Sequence, residues 1–160
     1  MPKHKMPQYK LVGAMELNSP AFANNTAIPD AYTCKGAGIS PPLTISGIPT
    51  GTQSLALVVI DPDAPTGEYT HWSLWNISGT TSVLKENSVP TGAIQGQNSA
   101  NSTGYTPPCP PAGTHRYFFK VYALNRQLTL EEGARPYAFQ ASLEGHVLAK
   151  AELIGLVTAK

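Results

Sequence analysis

The chain has 160 residues, enough for one domain with a sizeable core. Only 13% of them are charged and the formal net charge is +1, which excludes the basic surface that nonspecific nucleic-acid binding requires. No apolar run approaches the ~20 residues of a membrane span, and the opening "MPKHKMPQYK" lacks the apolar segment of a secretory leader. The expectation is a single cytoplasmic domain over residues 1–160, disordered over residues 1–9.

Fourteen glycines and fifteen prolines punctuate runs rich in Val, Ile and Leu, a pattern of many short strands. Strands are predicted over residues 10–17, 43–45, 54–60, 71–77, 116–124 and 150–157. The fold class that follows is mainly β, an antiparallel sandwich or barrel with one or two short peripheral helices. The run "SLALVVI" at 54–60 is apolar on both faces, as a central strand covered on each side must be. Segment 83–106 is poor in apolar periodicity and rich in Gly, Asn, Ser and Thr, which predicts a long surface loop. Thr129 and Glu132 have the spacing of a capping box, and Pro136 suits the first turn of a helix over "YAFQASLEGHVLA". Cys34 and Cys109 carry two readings, a pair of free thiols or a disulfide closing a long loop; their spacing is not that of a zinc finger.

Chemistry concentrates in two stretches. In "IDPDAPTGEYTHW", residues 60–72, an apolar strand ends in Asp61 and Asp63, then Pro62, Pro65 and Gly67 turn the chain toward His71. Alternation from His71 places Ser73 and Trp75 on its face of the strand. In "PPCPPAGTHRYFFKVYAL", residues 107–124, four prolines form a stiff approach to a strand. On that strand His115, Tyr117, Phe119, Val121 and Ala123 share one face, and Arg116, Phe118, Lys120 and Tyr122 the other. Polar tips at the end of an apolar sheet face are how a small pocket is lined, although both rings could equally plug the end of the core.

Together these stretches resemble the phosphatidylethanolamine-binding protein family, in its short bacterial and archaeal Raf kinase inhibitor-like branch. The matching residues are "DPDAP" at 61–65, "HW" at 71–72 and "GTHRYFFKVYAL" at 113–124, with "GISPPL" at 38–43 and "EGHVLAKAELIG" near the end. The resemblance implies a non-enzymatic binding protein with an anion pocket at one end of the large sheet. Carried over by position, the pocket residues are Asp61, Pro65, His71, Pro111, His115 and Tyr117, with Asp63 and Arg116 adjoining. The implied ligand is a small anion such as phosphate or a phosphoethanolamine-like headgroup; no cofactor or metal is implied. Asp61 is expected to orient a histidine, and to approach the ammonium of a zwitterionic ligand. Two departures stand out: Thr70 precedes His71 where animal members have a second histidine, and the C-terminal helix of longer members is not seen after the last strand.

Other readings carry less. No Gly-x-Ser-x-Gly elbow accompanies the Asp and His residues, so a hydrolase lacks a nucleophile, and no His-x-x-x-His spacing supports a metal-dependent one. A serine protease or kinase inhibitor acting through segment 83–106 is compatible with the pocket. Bacterial members often form homodimers, so a homodimer is among the implied arrangements.

Overall fold

The computed structural model describes residues 15–160. In chain order the elements are β1 (Glu16–Asn18), β2 (Thr26–Ala27), a 3-10 turn (Asp30–Tyr32), β3 (Leu43–Ser46), β4 (Ser54–Asp61) and β5 (Tyr69–Ser78). There follow β6 (Val83–Leu84), β7 (Ile94–Gln95), β8 (Thr114–Leu124), α1 (Pro136–Leu143) and β9 (Val147–Thr158). Two sheets form: a six-stranded one ordered β2-β9-β8-β4-β5-β7 and a three-stranded one ordered β1-β3-β6. They stay open and do not close into a barrel, and every pairing is antiparallel except β2 with β9.

Every residue of β4 is buried, as its uninterrupted apolar sequence requires of a central strand. Leu55, Leu57 and Val59 face the main core, where the small sheet contributes Leu17, Leu43, Ile45 and Leu84. Ala56, Val58 and Ile60 face the opposite side, under Phe139 and Leu143 of α1. On β8 the alternation is the expected one: His115, Tyr117, Phe119, Val121 and Ala123 are buried, and Arg116, Phe118, Lys120 and Tyr122 are exposed or half-buried.

Several local expectations are corrected. Of the strand predicted over 10–17, residues 10–14 lie outside the described residues, as does the expected disorder over 1–9; β1 begins at Glu16. The helix does start at Pro136, but its N-cap is Arg135, and Thr129 and Glu132 lie upstream of it. It is also short, because Gly145, with φ of 81°, reverses the chain and sends Val147 onward as β9. Segment 83–106 is no plain surface loop either: β6 extends the small sheet and β7 the large one. Within it Asn98, 2% exposed, accepts from the Ala100 and Ser102 amides and donates to the Gly104 carbonyl.

The correction with most bearing on function lies in β5. Val59 pairs with Trp72 but the next residue, Ile60, pairs with Thr70, so His71 is an extra residue in a bulge. The strict alternation that groups His71 with Ser73 and Trp75 is broken there. Trp75 packs on Phe139 under α1, whereas His71 turns toward Tyr117 on the main-core side.

Candidate functional site

The main-core face of the large sheet ends in a cavity of about 240 Å³. β4 supplies Asp61, β5 supplies Tyr69 and His71, and β8 supplies His115 and Tyr117. The walls are Ala64 and Pro65 from the β4–β5 turn, and Thr106, Pro107, Cys109, Pro110 and Pro111 from the approach to β8. All six residues carried over from the resemblance line this one cavity, although they come from three strands, the β4–β5 turn and the approach to β8. Proline suits both walls, since its fixed φ holds a loop without a hydrogen-bond ladder. Gly67, with φ of 105°, and Gly113, with φ of 68°, make the turns that lead into β5 and β8.

Each histidine is held at Nδ1. The His115 Nδ1–H donates to Asp61 Oδ2 at 2.7 Å, and Asp61 Oδ1 accepts the Asp63 amide at 2.7 Å. Asp61 is 3% exposed and both its oxygens have protein partners, so the carboxylate orients His115 and caps the turn. That arrangement leaves little of it for a ligand ammonium. His71 Nδ1 lies 2.8 Å from the Thr106 carbonyl, which can only accept, so Nδ1 carries the proton. The Thr106 amide donates in turn to the His71 carbonyl at 2.9 Å, which ties the approach segment to the bulge. With both Nδ1 atoms engaged, Nε2 is the ring nitrogen each histidine keeps for the cavity.

Burial sets the charge states further. It lowers the His71 pKa below the ordinary imidazole value, against the raising effects of the Thr106 hydrogen bond and of Asp61. Tyr117 is pushed upward by desolvation and then by Asp61, so its hydroxyl stays a proton donor. The Tyr69 ring lies 4.7 Å from that of His71, and the His71 and Tyr117 rings meet edge-on at 5.3 Å.

Asp63 and Arg116 stand outside the cavity as a rim pair. Arg116 donates from Nε and Nη2 to the two Asp63 oxygens at 2.9 and 2.8 Å, and its backbone amide adds a third bond at 2.9 Å. These bonds hold the Asp63 carboxyl down at about 2. Because the folded-state value is depressed, the pair's stabilisation is present above the unfolded carboxylate pKa, about 4, and is lost as pH falls through about 2. Thermal melts should show that acid dependence in the wild type and a shallower one in Asp63→Asn; parallel profiles would mean that the pair adds nothing.

Cys34 and Cys109 form a disulfide, with Cα atoms 5.3 Å apart. It fastens the proline wall to the loop after the 3-10 turn, where the Cys34 amide also donates to the Pro108 carbonyl at 3.0 Å. Six lining residues were not among those foreseen: Ala64, Tyr69, Thr106, Pro107, Cys109 and Pro110. Tyr69 could have been found, since it lies two residues before His71 and alternation puts both on one face. Thr106 acts through its backbone, which no side-chain pattern reveals. No group of three His, Cys, Asp or Glu side chains among the described residues is placed to hold a metal ion.

Comparison with known proteins identifies the family and the fold. The profile of the family described as phosphatidylethanolamine-binding protein matches residues 18–158. This chain belongs to that family. A UPF0098 protein of Methanothermobacter thermautotrophicus is 47% identical over 147 residues, covering 89% of this chain and 97% of the relative. Among solved structures, a phosphatidylethanolamine-binding protein homologue from Chlamydia trachomatis superposes with a TM-score of 0.89 at 42% identity, covering 93% of this chain and all of that one. YbcL of E. coli, described as a member of the mammalian family, gives 0.86 at 31% identity, covering 91% and 99%. The open two-sheet architecture is thus shared by family members whose sequences differ from this one at more than half of their positions.

Proposed function

We propose that this protein is a non-enzymatic binding protein whose cavity takes a small oxyanion, phosphate or a phosphorylated headgroup of the phosphoethanolamine kind. The observation that carries the reading is the convergence of His71, His115 and the Tyr117 hydroxyl on one cavity, with both Nδ1 atoms already engaged. The Tyr117 hydroxyl and a protonated His115 ring are donors that bind phosphoryl oxygens strongly when water is partly excluded, and His71 adds a polar ring nitrogen beside them. The prolines and the disulfide hold the walls in place before a ligand arrives, which lowers the ordering entropy that binding costs. Phosphate binding by the wild type, lost in His115→Ala, supports the reading; binding that survives the substitution counts against it.

A second reading, a protease or kinase inhibitor acting through segment 83–106, draws on Val83 and Val89. They are 56% and 40% exposed, and with Tyr137 they are the exposed large hydrophobic residues among those described. Inhibition that disappears when both become serine, with anion binding intact, would separate the two functions; inhibition unaffected by the change rejects the second. No described helix is long and apolar enough to cross a membrane. Disulfides persist in oxidising surroundings and are rare in the cytosol of mesophiles, so the Cys34–Cys109 bond weighs against the cytoplasmic expectation.

A further inference from the structure

We infer that the cavity selects phosphate monoesters and inorganic phosphate over phosphodiesters and sulfate, because His71 presents a hydrogen-bond acceptor to the ligand. This rests on the anion-pocket reading and narrows its ligand class.

The geometry of His71 fixes what it can offer. Its Nδ1–H is committed to the Thr106 carbonyl, and the Thr106 amide returns a bond to the His71 backbone, so a ring flip breaks the contact that closes the site. The ring is buried at the bulge, 5% exposed, between the Tyr69 and Tyr117 rings. The charged or titratable groups facing it are Asp61 from β4, His115 and Tyr117 from β8, and Tyr69 from its own strand. Asp61 is the one anion among them, and it is already bonded to His115 and to the Asp63 amide. Burial therefore prevails and keeps the imidazole neutral at neutral pH, with a lone pair on Nε2.

An anion meets different chemistry at the two histidines. Tyr117 donates through its hydroxyl, and His115, held by a carboxylate at Nδ1, can donate from Nε2 when its ring is protonated. His71 can only accept. A phosphate monoester has a second pKa of about 6, so its monoanion carries an O–H that can be shared with Nε2 of His71. A phosphodiester or sulfate has no such proton near neutral pH. Its oxygens would face the Nε2 lone pair directly, or His71 would have to take up a proton against its burial. The headgroup of an intact phospholipid is a diester, so the better ligand is a free phosphomonoester.

Methyl phosphate and dimethyl phosphate make the test. At pH 6 about half of the first is a monoanion with one proton and the rest a dianion, and the second is a monoanion with no proton. Calorimetric titration of the full chain at that pH should give methyl phosphate an affinity at least about tenfold above dimethyl phosphate and sulfate. In His71→Gln, whose amide can turn to donate, the three affinities should converge. Equal affinities in the wild type overturn the selectivity while leaving the anion pocket standing. No binding of any of the three overturns the anion pocket as well.

Discussion

Asp61→Ala should destabilise the fold by about 3 kcal/mol or more, measured by urea unfolding. The carboxylate is 3% exposed, yet it holds two donors at 2.7 Å: the His115 ring and the Asp63 amide. Removing it leaves the His115 Nδ1–H, in a residue 8% exposed, with no acceptor, and removes the cap of the turn that brings in Pro65. An orphaned buried donor costs about 1–3 kcal/mol by itself. Asp61→Asn should fall between, because its amide oxygen can keep one of the two bonds. A loss below about 0.5 kcal/mol for the alanine variant would mean that the carboxylate is no structural partner of His115. The proposed anion binding depends on the same bond, since it engages His115 at Nδ1 and leaves Nε2 for a ligand.

Loss of the disulfide should have a comparable or larger effect. Cys34 and Cys109 are 75 residues apart in sequence, and cross-linking a loop of that length reduces unfolded-chain entropy by an amount worth roughly 4 to 5 kcal/mol. The paired substitution Cys34→Ser with Cys109→Ser should lower the urea midpoint accordingly. Cys109 itself lines the cavity among Pro107, Pro110 and Pro111, so the effect extends beyond global stability. Without the bond, the proline wall keeps the Cys34 amide's hydrogen bond to Pro108 and the Thr106 contacts to His71. Amide hydrogen exchange should accelerate in residues 33–38 on reduction, before the sheets open. A midpoint unchanged by the double substitution would show that the unfolded chain is already compact across that loop.

Much of the scaffold was legible because its signals are periodic. The doubly apolar β4, the alternation along β8 and Pro136 at the start of α1 are each dictated by one simple constraint on side chains or on φ. The convergence of Asp61, His71 and His115 was legible only through resemblance, because strands far apart in sequence form the cavity. What failed depended on context. Thr129 and Glu132 have capping-box spacing, but no helix follows them directly, and a short motif does not carry its own surroundings. The bulge at His71 is invisible to alternation because it is a departure from alternation; it exists where β5 must match β4 on one side and reach Thr106 on the other. β6 and β7, two residues each, are too short to generate a pattern. The disulfide was equally open, since nothing in a pair of spacings says whether two sulfurs meet.

The central claim is that His71, His115 and Tyr117 form an oxyanion site, and the histidine ring resonances report on it most directly. Titrating inorganic phosphate into the full chain should shift the His71 and His115 ring signals together. His146, which pairs with Asn125 at 3.0 Å away from the cavity, should stay fixed. The His71 shifts should vanish in His115→Ala. Ring signals that do not move at phosphate concentrations on the order of millimolar, or that move equally at His146, would contradict the account.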